Sequence, residues 1–168
     1  MDVEKLQPML AAVPGFASRW DKFVADWSDE SSLPLYIAMG DLAHYVVERY
    51  ESGTTSEFSG FFAQVEQLLN ERDADVTNLM VAGLFEDIQN VASNRTFGFD
   101  VFRPWLKSAS LVAWDEIDEG MRRVAEWAAA ERAKDNLPPA LNVDDLLGTV
   151  SNPELRGIIE SSFRGRKR

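Results

Sequence analysis

The sequence predicts an all-α protein, an irregular HEAT-like helical stack of about seven or eight helices. Three observations carry that prediction. Apolar residues recur at three- and four-residue spacing through most of the 168 residues. No Asn-Gly or Asp-Gly dipeptide marks a hairpin turn. Helix punctuation is instead frequent: Pro14-Gly15, Gly53 and Pro138-Pro139 each interrupt a periodic run.

The elements follow in order. Residues 3–13 and 15–29 read as helices separated by Pro14-Gly15. Ser31-Ser32 before Leu33-Pro34 suit a cap followed by a first-turn proline, opening a helix over 33–51. Gly53 stands where a left-handed stop residue belongs. Thr54-Thr-Ser-Glu57 has the spacing of a capping box for a helix over 55–71, and Asp73 suits the cap of a helix over 74–93. A connection over 94–107 leads to a long helix over 109–135. One or two short helices fit 136–163, with starts at Asn142 and Asn152. The loops joining the helices 33–51, 55–71 and 74–93 are short, which predicts antiparallel neighbours.

Composition excludes several function classes. Zero cysteines exclude a disulfide scaffold, a thiolate metal site and a cysteine nucleophile. One histidine excludes a multi-histidine metal site. No apolar run approaches the ~20 residues of a membrane span, and the start MDVEKLQP is too polar for a secretory signal. A cytoplasmic location is expected. Neither a GxxxxGK[ST] loop, a GxGxxG loop nor a G-x-S-x-G elbow occurs. The expectation is therefore a protein that is not an enzyme and takes no cofactor and no metal.

Charge is uneven. Residues 1–163, expected as one helical domain, hold all 28 acids and 13 of the 17 bases; the short tail 164–168 adds four bases. A body this acidic should be repelled by nucleic acid and anionic membranes and drawn to basic proteins.

Two helices can be read as wheels. From Val76 at 100° per residue, Val76, Met80, Val81, Leu84, Phe85, Ile88 and Val91 fill one half. Leu79 and Gly83 widen that arc, which marks a central helix. Asp75, Asn78, Glu86 and Gln89 form a narrow polar strip beside Ala82. Asp87 falls inside the apolar arc, where an acid needs a donor or an upward pKa shift. On 33–51, Leu35, Met39, Leu42, Ala43, Val46, Val47 and Tyr50 make the buried stripe. His44 lies opposite, with Asp41, Glu48 and Glu51 on its own face. The segment from Asp73, with small residues at Ala82 and Gly83, also matches the second helix of a HEAT-type pair.

Residues 97–105 carry four aromatics in Phe-Gly-Phe-Asp-Val-Phe-Arg-Pro-Trp. They read as a plug over helix ends, or as a groove in which Phe99, Phe102, Arg103 and Trp105 anchor a partner. In the long helix, Trp114, Ile117, Met121, Val124, Ala125 and Ala128 keep one stripe.

The strings Ala38-Met-Gly-Asp-Leu-Ala-His44, Phe62-Ala-Gln-Val-Glu-Gln-Leu-Leu69, Asn78-Leu-Met-Val-Ala-Gly-Leu-Phe-Glu-Asp-Ile-Gln-Asn90 and Ser110-Leu-Val-Ala-Trp-Asp-Glu116 resemble a family of small, uncharacterised, all-helical bacterial proteins. Its pattern is Gly-acid-hydrophobic, then Val-Glu, then Gly-x-x-Glu-Asp-x-Gln-Asn. The resemblance covers residues 33–116. It implies candidate immunity proteins of polymorphic toxin systems. The leading expectation is thus an acidic binding protein that neutralises a basic toxin domain by contact. Asp41, His44, Glu48, Asp75, Asn78, Glu86, Gln89 and Asn90, the two polar strips, are its expected partner-binding residues. A monomer or weak homodimer is expected. The alternative is a HEAT-like adaptor that binds a peptide or helix in the aromatic groove.

Overall fold

The computed structural model describes residues 3–134, 147–148, 150 and 152–157. Every regular element among them is helical, as the sequence predicts. A 3-10 turn over Val3–Leu6 enters α1 (Gln7–Ala11), and a second over Pro14–Phe16 enters α2 (Ala17–Asp26). Then come α3 (Leu35–Glu51), α4 (Phe58–Asn70), α5 (Ala74–Asn78), α6 (Glu86–Ser93) and α7 (Ser108–Lys134). Between α5 and α6, Leu79–Phe85 wind as a π-helix, so 74–93 is one unbroken helical rod with wide central turns. A further 3-10 turn, Asp100–Trp105, lies in the connection before α7. Most of the short helices expected over 136–163, and the basic tail 164–168, lie outside the described residues. Within them 153–157 are helical, and the Asn152 side chain accepts the amides of Glu154 and Leu155.

Helix starts divide into those the sequence anticipates and those tertiary contacts override. Asp73 caps α5, accepting from the amides of Asp75 and Val76. Gly53 takes a positive φ of 71° past the end of α3. The capping box at Thr54–Glu57 does not form. The Thr54 hydroxyl donates to the carbonyl of Arg49, while Glu57 accepts from the Tyr45 hydroxyl at 2.7 Å and the Gly15 amide at 3.4 Å. Glu57 is recruited across the fold, and α4 starts at Phe58 without a side-chain cap. Nor do Ser31 and Ser32 cap α3. Pro34 sits at ψ 75°, outside the helix, and α3 begins at Leu35.

Packing also departs from sequence order. α3 packs chiefly against the π-helix and α6, and α4 against α1, whereas α3 and α4 were expected to be each other's neighbours. The wide apolar arc of the 74–93 rod explains this, because it accepts α3 and α4 at once. Gly83 permits the approach of α3: a Cβ there would lie 3.2 Å from Tyr36 and 3.4 Å from Met39.

Contacts divide the chain into two compact units, Met1–Arg122 and Arg123–Arg168. The first holds the core, in which Met9, Phe16, Met39, Phe61, Phe85 and Trp114 are fully or almost fully buried. Residues 97–105 plug it. Tyr50 stacks on Phe97 and Phe102 at 4.9 and 5.3 Å, and Trp105 meets Phe58 edge-on at 5.1 Å. In the second unit the continuing α7 leaves Val124 and Trp127 exposed.

Candidate functional site

The end of α2 and the start of α3 leave an opening in the first unit. Trp27 closes α2, and Pro34 delays α3. The polar run Ser28–Ser32 between them is exposed. Against it lie Asp75 and Asn78 of α5 and Leu79, the first residue of the π-helix. Together they enclose a cleft of about 880 Å³. Val24, Trp27, Leu33 and Tyr36 contribute apolar wall, Glu30 and Asp75 contribute carboxylates, and no basic side chain among the described residues lines it. Tyr36 and Ile37 stand beside it 54% and 56% exposed.

The expected partner-binding strip is broken up. Asp75 and Asn78 reach the cleft. Asp41 and Glu48 are both held by Arg19 of α2, at 3.2 and 2.6 Å, so that guanidinium partly neutralises the acidic face of α3. His44 and Asn90 line a shallow depression of about 270 Å³ with Val91, Asn94 and Arg95. Glu86 is exposed. Gln89 is not on the surface. It is fully buried, and its Nε2 donates to the carbonyl oxygen of Trp114.

Asp87, expected inside the apolar arc, is only half-buried and has no hydrogen-bond or ion-pair partner among the described residues. Burial pushes its carboxyl pKa up, while the nearby His44 pulls it down. An ideal Cβ on Gly40 would lie 3.1 Å from Asp87 Oδ2.

The residues expected to line the aromatic groove at 97–105 are only partly at the surface. Phe102 is fully buried, and Phe99 and Trp105 are half-buried in the stack around Trp114 and Phe58. Arg103 turns outward to Asp115 at 2.6 Å.

Two part-buried polar joints brace this frame. Glu66 of α4 accepts from the Ser110 hydroxyl and from the amides of Ala109 and Ser110, capping α7 from across the fold. Tyr45 donates to Glu57. Burial, then the Glu57 carboxylate, pushes its phenol pKa up to about 12, so it stays a donor at neutral pH.

The family of the Domain of unknown function DUF7674 matches residues 6–122. The chain belongs to that family. The DUF7674 match ends at the residue where the first compact unit ends. It contains the whole cleft lining except Val3, while the α7 extension past Arg122 lies outside it. No curated protein and no solved structure matches the chain. Among the described residues of this DUF7674 chain, no cluster of three or more His, Cys, Asp or Glu is placed to hold a metal ion, and no helix is long and apolar enough to cross a membrane.

Sequence reasoning missed the cleft, but it left one signal. On the α3 wheel Ile37 falls at about 200° from Leu35, among His44, Glu48 and Asp41. With Tyr36 exposed beside it, Ile37 belongs to a contiguous apolar patch at the mouth of the cleft, and such patches mark sites that meet something apolar.

Proposed function

We propose that this chain is a protein-binding module, a HEAT-like adaptor that acts by occupancy and catalyses nothing. It holds an apolar segment of a partner in the cleft between the end of α2, the start of α3 and α5. One observation carries the reading. An 880 Å³ cleft, mostly apolar, with two carboxylates and no base among the described residues of its lining, opens beside exposed Tyr36 and Ile37. Such a site favours a partner that brings apolar side chains and positive charge.

A second reading is favoured by charge. Residues 1–122 hold 21 of the 28 acids and 9 of the 17 bases, a net −12, whereas residues 123–168 are close to neutral. This field would speed encounter with a basic protein. The partner is then a basic toxin domain, and the chain is its cytoplasmic immunity protein.

Co-expression with a toxin encoded beside the gene tests both. Tyr36→Asp and Asp75→Lys should abolish protection, and Val112→Asp, an exposed position on α7, should leave it intact. Protection lost only on Glu48→Lys and Glu86→Lys would move the contact to the polar strips. Absence of protection from the toxin would remove the immunity reading.

A further inference from the structure

We infer that the occupant of the cleft is a helix with a basic end, laid across Trp27 so that apolar anchors fall on both of its sides. This inference rests on the protein-binding reading above. The first support is the length of the apolar track. Trp27 lines the 880 Å³ cleft and also a second depression of about 400 Å³ that includes Phe23 and Ile37. Val24, Tyr36 and Ile37 are all exposed along this track. A small ligand is enclosed on most of its surface by one pocket of roughly 300–1,000 Å³. Two basins sharing one indole suit an elongated occupant.

The second support is backbone accounting. The described residues contain no strand, so they offer no sheet edge with free amides and carbonyls. An extended peptide would find no ladder to join here. A helix satisfies its own backbone and brings only side chains. Residues at i, i+3, i+4 and i+7 put apolar anchors along about 10 Å of one face.

The third support is charge, which sets direction. Among the described residues, the larger cleft presents Glu30 and Asp75 without a base. In the second depression the charges cancel locally: Arg19 is paired with Asp41, and Lys22 with Asp26. The basic end of the helix therefore sits over Asp75, and its uncharged apolar end lies toward Ile37.

Three displayed peptide libraries test this against the full-length chain: amphipathic helical, unstructured linear and proline-rich. The expected binders come from the helical library, with apolar residues at i, i+3, i+4 and i+7 and Lys or Arg clustered at one end. Chemically synthesised binders should lose tenfold or more in affinity to Ile37→Asp or Asp75→Lys, and also when their Lys or Arg are exchanged for Glu. Val112→Asp should leave affinity unchanged, and thermal unfolding of each variant verifies that it folds. Binders that are proline-rich or extended yet still lost on Tyr36→Asp would overturn the helix and leave the cleft standing. Binders indifferent to all three cleft variants, or no binder from any library, would overturn both.

Discussion

Gln89 Nε2 donates to the carbonyl oxygen of Trp114 at 2.9 Å, tying α6 to α7 in the interior. The other side-chain polar atoms of the pair, Gln89 Oε1 and Trp114 Nε1, are buried without a hydrogen-bond partner among the described residues. Gln89→Glu would bury a carboxylate beside the Trp114 carbonyl oxygen and should cost about 3 kcal/mol or more at pH 7. That loss should shrink as pH falls from 7 toward about 4, because a buried carboxyl without a partner protonates well above its usual range. Gln89→Met should stay within about 1 kcal/mol, since it also removes an unpaired acceptor and the Trp114 carbonyl lies within the hydrogen-bonded ladder of α7. Urea midpoints at both pH values check the contrast, and a stable Gln89→Glu at neutral pH would contradict this packing.

The burial of Gln89 also shows where the sequence stops being legible. Strongly periodic stretches give the helices, because burying an apolar stripe decides them; most core positions of α3 follow from spacing, while Ala38 and Tyr45 are buried outside its predicted stripe. The wheel through 74–93 assumed 100° per residue throughout. A π-helix closes i→i+5 hydrogen bonds and turns less per residue, so seven such residues lag by about 100° in all. That lag carries Gln89 from the polar strip into the core and moves Asp87 toward the edge. Nothing in Leu-Met-Val-Ala-Gly-Leu-Phe announces it, since its local hydrogen-bond pattern is set by what packs around it. The cleft was hidden for a related reason: it is made by the ends of elements distant in sequence.

Deleting Ala82 follows from the same geometry. One residue of α-helix is worth about 100°, so its loss should let 74–93 wind as α-helix while α6 keeps its buried face. Ala82 is exposed, and no core side chain is removed. The expected outcome is a folded protein with helical circular dichroism retained and Gln89 still protected from solvent. Unfolding on deletion would show that the wide turns themselves are required by the packing of α3.

Glu66 should dominate one part of the acid response. Its partial burial raises the carboxyl pKa, but the Ser110 hydroxyl, the two α7 amides and Asn70 outweigh that and hold it below the usual range. A lowered folded pKa contributes stability that is complete above the unfolded value and is lost as pH falls through the folded one. Glu66→Gln should therefore cost about 1–2 kcal/mol at pH 7. The gap to the parent should narrow below about pH 4, where the parent loses the same charge-assisted bonds. Equal losses at pH 7 and at pH 3 would contradict the assignment.

Asp87 carries the opposite sign. Burial raises its folded pKa, so the ionised form costs stability at neutral pH and the protein recovers it as pH falls through that pKa. Asp87→Asn should stabilise by about 1 kcal/mol at pH 7, with no gain near pH 3. Gly40→Ala brings a methyl to 3.1 Å from Asp87 Oδ2 and should be better tolerated in an Asp87→Ala background.

The tightest joint tests the frame as a whole. A Cβ on Gly15 would clash with the Tyr45 hydroxyl, which donates to Glu57 and cannot swing aside without breaking that bond. Its ring is buried beside Phe16 at 5.5 Å, which closes the other exit. Gly15→Ala should therefore cost about 2–3 kcal/mol, and Tyr45→Phe about 1 kcal/mol for the lost hydrogen bond. Removing the hydroxyl leaves the ring Cζ as the nearest atom, at 3.2 Å, which a small shift relieves. The double variant should accordingly lose at least about 1 kcal/mol less than the two single costs combined. Strictly additive costs in a four-protein urea series would show that the joint yields in some other way, and that Glu57 is not what fixes Tyr45 against the turn at Gly15.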